Sequence, residues 1–355
     1  MSLFYCLETD KSRRDVALEN QFAGPTPSAC WLVGGGPSLA TLPIEKIAAS
    51  PIPKMTLNLA GSKLLRPTFW TSYDPTERFH KSIYLDPSVM KFVHRRRAME
   101  MVPETNFKVC ESPNTYLFDR DKERGYANFL SPTNTNIVDW ADSMVQAIDI
   151  LYRLGFRKLY LAGCEMHVAP SAEQIQAAKK AGVIWQPQMF LKDFLKECNA
   201  HGLSAKKLDR LAPSNLYHFD EHKAIKTASH TEQHYFRVAQ YLRLARKSMA
   251  TAGMQLISVT PHSRLNDYFP YLPAAEIIKQ IAENIGNPSE EKTEGLYRQT
   301  ESRTSSSLFP LEDFPPHNWS KKKTDHKEKQ PPQKHSVKNQ QDGELLIEEE
   351  GYVFA

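Results

Sequence analysis

The sequence predicts an α/β fold: a Rossmann-like, mostly parallel sheet with a helical insertion or lid and a disordered C-terminal tail. Short apolar runs alternate with segments of helical periodicity between residues 29 and 162, which is typical of a parallel sheet with crossover helices. A mainly helical block follows, and after Asn287 the chain consists mostly of Ser, Pro, Lys, Glu, Gln and Asn. That last composition is typical of disordered segments, because it offers little apolar surface to bury.

These patterns divide the chain into five consecutive parts. The first part is polar and mixed, without strong periodicity, and is therefore predicted to be a lead-in segment. The parts are an N-terminal lead-in (1–28), a Rossmann-like core (29–170), a helical lid or subdomain (171–253), the final strand and helix of the core (254–286) and the disordered tail (287–355).

Within these parts, strands are predicted where apolar runs end at turn residues, over 29–33, 54–59, 68–72, 107–110, 158–162 and 256–259. Helices are predicted over 43–49, 139–154, 174–181, 187–200, 204–211, 231–253 and 273–283. The helix over 139–154 has the most regular apolar spacing, and Gly155 provides a favoured C-cap. Ligands of open parallel sheets bind beyond the carboxyl ends of the strands. Polar residues that directly follow a predicted strand are therefore the functional candidates.

Charge and cysteine content limit the functional classes. Residues 287–355 contribute −3 to the formal net charge of +4, with 10 Lys and Arg against 13 Asp and Glu, which leaves +7 on residues 1–286. A mildly basic body suits a phosphate-bearing ligand or a polyanionic acceptor. The five cysteines are scattered and form no Cys-x-x-Cys pair, which indicates reduced thiols and a cytoplasmic location.

Two further expectations concern membranes and partners. No run of 18 or more apolar residues is present, so no transmembrane segment is predicted. Residues 345–355 are acidic and then apolar, like a short peptide that docks on a partner protein. The alternative is a plain unstructured end, as chain termini commonly are.

The first candidate site is a glycine loop, Gly34-Gly35-Gly36-Pro37-Ser38, which follows the predicted strand 29–33. Glycines let backbone N–H groups approach a phosphate, and a helix N-terminus adds a favourable dipole. The loop is therefore predicted to bind a nucleotide phosphate, with the Ser38 hydroxyl as a further donor. The alternative is a tight turn between strand and helix, because the loop has neither the Walker pattern nor the dinucleotide fingerprint.

Other candidates follow the neighbouring strands. Asn58 is placed to contact a ribose or a base, although Asn is also a common turn residue. Asp74 could hold a divalent metal such as Mg²⁺ on a diphosphate, or could simply form an Asp-Pro turn. His167 follows strand 158–162 and is the favoured general base, with the alternative of a surface histidine. The fallback base is a histidine of the segment 222–234 (His222, His230 or His234) brought in by the lid.

Taken in order, these motifs resemble a superfamily with three branches: bacterial family-42 sialyltransferases, archaeal 6-hydroxymethylpterin diphosphokinase-like proteins and motility-accessory glycosyltransferase-like proteins. The family pattern is a strand and Gly-x-Gly-Pro-Ser-Leu, a strand ending in Asn, and a Thr-Ser-Gly or Ser-Val that opens a helix. That helix leads to Leu-Gly-Tyr/Phe-Lys-Glu-Ile-Tyr-Leu-x-Gly-x-Asp. The matching residues here are Gly34–Leu39, Asn58 and the run from Ser143 through Gly155 to Glu165, where Glu165 stands in place of the family's Asp.

The resemblance implies that the 29–170 core binds a nucleotide. Gly34, Gly36 and Ser38 would contact phosphate, Asn58 and Ser143 would contact the nucleotide, and Glu165 would join His167 as a catalytic candidate. The leading expectation is a glycosyltransferase-like enzyme that uses a CMP- or UDP-type sugar donor and an unknown acceptor, such as a glycan, a protein or a modified nucleobase. The alternatives are a Mg²⁺-dependent diphosphokinase acting on a hydroxymethyl compound, and a non-catalytic nucleotide-binding assembly factor.

Overall fold

A nine-stranded mixed sheet organises the computed structural model, which describes residues 2–8, 10–24, 28–60, 65–121, 125–211, 217–219 and 223–284. The strands, in chain order, are β1 (Phe4–Leu7), β2 (Arg13–Val16), β3 (Ala29–Val33), β4 (Lys54–Leu57), β5 (Phe69–Thr71), β6 (Met90–His94), β7 (Thr115–Phe118), β8 (Arg120–Asp121), β9 (Ile137–Val138), β10 (Lys158–Ala162) and β11 (Gln255–Ser258). The sheet order is β11-β10-β3-β4-β5-β6-β7-β1-β2, while β8 and β9 pair separately. The strands from β11 to β7 in that order all run parallel.

Helices cover the sheet and extend beyond it. They are α1 (Ile44–Ala49), α2 (Lys81–Leu85), α3 (Ser143–Leu154), α4 (Ala172–Lys180), α5 (Leu191–Ala200), α6 (Ala205–Leu211), α7 (Ile225–Thr251) and α8 (Ala274–Asn284). Helix α3 is buried along its whole length in the main core. Its N-cap Asp142 accepts hydrogen bonds from the amides of Met144 and Val145, and Gly155 ends it with a φ of +110° that favours glycine. The α/β class and the mostly parallel sheet are confirmed.

The helical block between β10 and β11 has a small core of its own, which includes Val183, Phe194 and Leu208. The long helix α7 joins this core to the main one. Its first turns contribute Ile225 to the helical block, whereas Leu242 packs in the main core below the sheet. In the part of the chain that the structure describes, none of the helices combines the length and apolar character needed to cross a membrane.

Two local predictions are wrong, and the tail lies outside the described residues. The segment 1–28 is not merely a lead-in: β1 pairs antiparallel with β7, and β2 continues that edge of the sheet. The strand expected at 107–110 is instead a 3₁₀ turn over Val109–Glu111. There the Glu111 carboxylate accepts a hydrogen bond from the Lys108 amide at 2.6 Å, which curls the chain, and the sheet strand follows at β7. The predicted disordered tail (287–355), with its docking end, is not part of the described residues.

Candidate functional site

The glycine loop lies where the strand order of the sheet reverses. From β3 the chain proceeds to β4 on one side, whereas β10 occupies the other side. Ligands of open α/β sheets bind at such switch points. The loops after β3 and β10 are joined directly, because the Gly34 amide donates to the Ala162 carbonyl at 2.8 Å and the Gly36 amide donates to the Gly163 carbonyl at 2.9 Å.

The glycines of this loop make room for two side chains of the protein itself. A Cβ atom at Gly36 would overlap the carboxylate of Glu165, and a Cβ atom at Gly35 would overlap the imidazole of His218. Gly36 has φ −70° and ψ 160°, which any residue can adopt. Close approach of Glu165, and not backbone strain, is therefore what requires glycine at position 36.

Glu165 occupies the place that the sequence predicts for a phosphate. Its Oε1 accepts a hydrogen bond from the Ser38 amide at 2.6 Å, at the start of the 3₁₀ turn Pro37–Ala40. Its Oε2 and the Ser38 hydroxyl are both buried, and neither has a hydrogen-bond partner within the described residues. The group that lies on this loop in the structure is thus a carboxyl side chain of the protein itself, and phosphate binding there stays a prediction.

Asn58 and Ser143 meet at the carboxyl ends of β4 and β5. Asn58 has a left-handed backbone with φ +52°, and its Oδ1 accepts hydrogen bonds from the hydroxyls of Ser143 at 3.0 Å and Ser72 at 2.6 Å. The Ser143 hydroxyl in turn accepts from the Tyr73 amide at 2.9 Å. Two residues predicted to contact the nucleotide are thus brought together.

His167 lies next to Glu165 but is partly buried. Its Nδ1 is 3.1 Å from the Glu165 carbonyl oxygen. Burial, followed by the positive charge of Arg264, lowers the pKa of His167 below its usual range. The imidazole is therefore neutral at pH 7, which is the form that a general base requires.

A second histidine reaches the site from the helical block. His234 on α7 places Nε2 3.0 Å from Oδ2 of Asp142, directly before Ser143. A carboxylate on one imidazole nitrogen fixes the orientation of the ring. Of the other fallback histidines, His230 is exposed and His222 lies outside the described residues.

Asp74 follows β5 but is held by a neighbouring cation. Its Oδ2 is 2.8 Å from Nη1 of Arg78, and its amide donates to the Ser72 hydroxyl at 3.0 Å. Mg²⁺ needs several oxygen ligands in a regular shell. Over the described residues there is no group of three or more His, Cys, Asp or Glu side chains placed to hold a metal. Asp74 as a ligand of Mg²⁺ on a diphosphate therefore stays a prediction, and it requires the carboxylate to leave Arg78.

Sequence analysis does not identify His218 or Arg264 as site residues. The backbone amide of Arg264 donates a hydrogen bond to the Glu165 carbonyl at 2.9 Å. The Arg264 guanidinium lies over the rings of Phe190 and Phe236, and its Nη2 is 3.5 Å from Oε1 of Glu232. Burial lowers the pKa of His218 to about 3. Neither residue belongs to a local motif, so only their position in the fold identifies them.

Comparison with known proteins finds no matching family model, curated protein or solved structure. The resemblance described above therefore stays an expectation, and the functional argument depends on the geometry of the site.

Proposed function

We propose that this chain is a glycosyltransferase-like enzyme that moves a sugar from a CMP- or UDP-type nucleotide donor to an acceptor. The observation that carries the proposal is the hydrogen bond between Asn58 and Ser143, which are 85 residues apart in the chain. It joins two polar side chains at the carboxyl edge of a parallel sheet, beside the glycine loop and the switch point. The crevice outside the carboxyl ends of the strands at a switch point is the usual ligand site of this fold class.

In this proposal the nucleotide lies across the strand ends, with Asn58 and Ser143 contacting its ribose or base. The donor phosphate competes with Glu165 for the Ser38 amide, because one N–H group cannot serve two anions equally. Binding therefore requires the Glu165 carboxylate to leave the loop. The same amide then stabilises the charge that develops on the departing phosphate.

The transfer itself is a displacement at the anomeric carbon. The acceptor oxygen forms a bond to that carbon while the bond to the nucleotide phosphate breaks, and the acceptor proton passes to a histidine. His167 remains the favoured base because it follows β10 at the switch point. His234 is the competing base because the carboxylate of Asp142 supports its imidazole.

One observation favours a non-catalytic alternative, an assembly factor that retains the fold. Glu165 already accepts the hydrogen bond of the Ser38 amide, so this donor of the loop is satisfied without a ligand. No observation favours the diphosphokinase, because Asp74 is paired with Arg78.

A thermal-shift screen of the full chain against CMP, UDP, GDP and ATP, each with and without Mg²⁺, tests the proposal. A ligand present at about 100 times its dissociation constant stabilises the folded state by about 2.7 kcal/mol. We expect CMP or UDP to raise the melting temperature without metal. Stabilisation by ATP only with Mg²⁺ would favour the kinase, and no response to any nucleotide would favour the non-catalytic alternative.

A cytoplasmic location belongs to the same proposal. All five cysteines are buried and none is in a disulfide, and reduced thiols are typical of a reducing compartment.

A further inference from the structure

A cluster of four arginines lies at the carboxyl ends of β6 and β7, and strands β4 and β5 separate these strands from β3 and its glycine loop. It comprises Arg95, Arg96 and Arg97 after β6 and Arg120 after β7. Two of these cations are paired with acids: Arg95 is 4.0 Å from Asp119, and Arg97 is 2.7 Å from Glu100. Arg96 and Arg120 have no carboxylate within 4.0 Å in the described part of the chain.

Neutral groups hold Arg120 in place. Its guanidinium lies 3.8 Å from the centre of the Tyr73 ring, and its Nε and Nη2 donate to Oε1 of Gln146 at 3.0 and 2.5 Å. The Gln146 amide is fixed in turn by a 2.7 Å hydrogen bond to the Thr71 hydroxyl. Burial lowers the pKa of Arg120 to about 10, so it still carries its charge at pH 7. A partly buried cation without a counter-ion is costly, and a bound anion would remove that cost.

The residues around the pair do not supply the missing negative charge. Burial, with the positive charges of Arg120 and Arg96, lowers the pKa of His94 to about 3, so that this ring is neutral. Asp139 accepts a hydrogen bond from the Tyr73 hydroxyl at 2.9 Å, and its charge partly offsets that of Arg120, but among the described residues it forms no ion pair with either arginine. The local field is therefore positive at the open edge of the sheet.

Tyr73 connects this cluster to the proposed donor site. Its ring supports Arg120, while its amide donates to the Ser143 hydroxyl at 2.9 Å. A ligand held by the two arginines would therefore lie beside a nucleotide held by Ser143 and Asn58. This is the position that a second substrate must occupy if a group is to pass between them.

We propose that Arg96 and Arg120 form a subsite for an anionic group, a carboxylate or a phosphate, on the acceptor substrate. A planar guanidinium matches either group through paired N–H donors. Arg96 is exposed, and among the described residues it forms no ion pair, so its guanidinium is available to a ligand. The assignment to the acceptor rests on the proposed function, but anion binding at this site does not.

Titration of the full chain with inorganic phosphate, at constant ionic strength and followed by calorimetry, tests the subsite. Acetate in parallel distinguishes a preference for carboxylate from one for phosphate. Arg96→Gln is the main variant because its side chain is exposed, and Arg120→Gln is the second. Arg95→Gln is the matched control, since Arg95 is adjacent and paired with Asp119.

We expect Arg96→Gln and Arg120→Gln to weaken binding of the preferred anion by about 10- to 100-fold, the usual range for a lost hydrogen bond to a charged group. Arg95→Gln should change the affinity for the same anion by less than about threefold, because exposed ion pairs contribute little. Undetectable binding of both anions to the wild-type chain, or equal losses in Arg95→Gln and Arg96→Gln, would overturn the subsite.

The outcome is separable from that of the nucleotide screen. Arginine-dependent anion binding without any nucleotide response would keep the subsite and refute the glycosyltransferase proposal. If CMP or UDP stabilises the chain but anion affinity is the same in Arg96→Gln as in the wild type, the glycosyltransferase proposal is kept and the subsite is refuted.

Discussion

The switch-point crevice and the arginine cluster lie on the same edge of one sheet, yet they satisfy their charges differently. At the crevice the Ser38 amide is paired with Glu165 and the His234 imidazole with Asp142, so that these groups find partners within the chain, although Oε2 of Glu165 and the Ser38 hydroxyl do not. At the cluster, Arg96 and Arg120 form no ion pair with an acid among the described residues. The first region must rearrange to accept an anion, whereas the second is already prepared for one. Affinity at the crevice is therefore reduced by the cost of displacing Glu165.

The largest expected effect concerns the base at the crevice. We expect His167→Ala to reduce turnover by about 10²- to 10⁴-fold with little change in nucleotide affinity, because only proton transfer is lost. Steady-state kinetics with the donor identified by the nucleotide screen provide the measurement. If His234→Ala and Asp142→Asn lose turnover while His167→Ala keeps it, the base belongs to α7. Full activity in all of these variants would exclude a histidine base at either position.

The next effect tests whether Glu165 fills the loop. Gly36→Ala should reduce the free energy of unfolding by about 1–3 kcal/mol, the usual cost of overpacking, because the new Cβ overlaps the Glu165 carboxylate. Denaturant unfolding measures this change. The loss should be much smaller in a Glu165→Ala background, where the overlapping group is absent. Gly125→Ala is the control, as nothing lies within 4 Å of its Cβ position.

A third effect is pH-dependent and concerns His218, which lies against Gly35. Its pKa is about 3 in the folded chain and 6.5 as the reference value, because burial disfavours the charged imidazole. Below pH 6.5 the unfolded chain therefore binds a proton that the folded chain does not. The free energy of unfolding is therefore unaffected by this proton above pH 6.5, and it decreases as the pH falls from 6.5 towards 3.

One pH unit below 6.5 the loss amounts to about 1.4 kcal/mol. Denaturant unfolding at pH 6.5 or above and again one pH unit below 6.5 measures how much the free energy of unfolding falls. In His218→Gln this fall should be smaller by the amount that His218 contributes. His201→Gln should leave the pH dependence as it is, since His201 is an exposed residue at the end of α5. An unchanged pH dependence in His218→Gln would mean that this imidazole is protonated in the folded chain.

The smallest effect concerns Ser143, which lies between the two regions. Loss of one neutral hydrogen bond usually weakens binding by about 0.5–1.5 kcal/mol, so we expect Ser143→Ala to reduce CMP or UDP affinity by about 3- to 10-fold. Phosphate binding at the arginine cluster should persist. Ser171→Ala is the control: Ser171 caps α4, away from the sheet edge, and its loss should affect stability alone. If Ser143→Ala and Ser171→Ala lose equal affinity for the nucleotide, the assignment of Ser143 to the nucleotide site is wrong.

The sequence by itself determined the α/β class, because apolar periodicity and turn residues are local signals. Strands β3 and β10 and helix α3 were predictable for this reason, and so was the position of Asn58 and Ser143 at the carboxyl edge. The pairing of β1 with β7 was not predicted, because the short apolar run that forms β1 does not specify which strand it will pair with.

Only the tertiary structure decided which charges meet. Glu165 reaches Ser38 across 127 residues and His234 reaches Asp142 across 92, and no local pattern encodes such distances. The triple glycine illustrates the limit: the sequence indicates that something must approach the backbone closely, but not that Glu165 and His218 do so. Likewise, three consecutive arginines are equivalent in the sequence, and only the fold pairs Arg95 with Asp119 and Arg97 with Glu100 but gives Arg96 no acid among the described residues. Charge pairing depends on distances in space, which the order of residues along the chain does not specify.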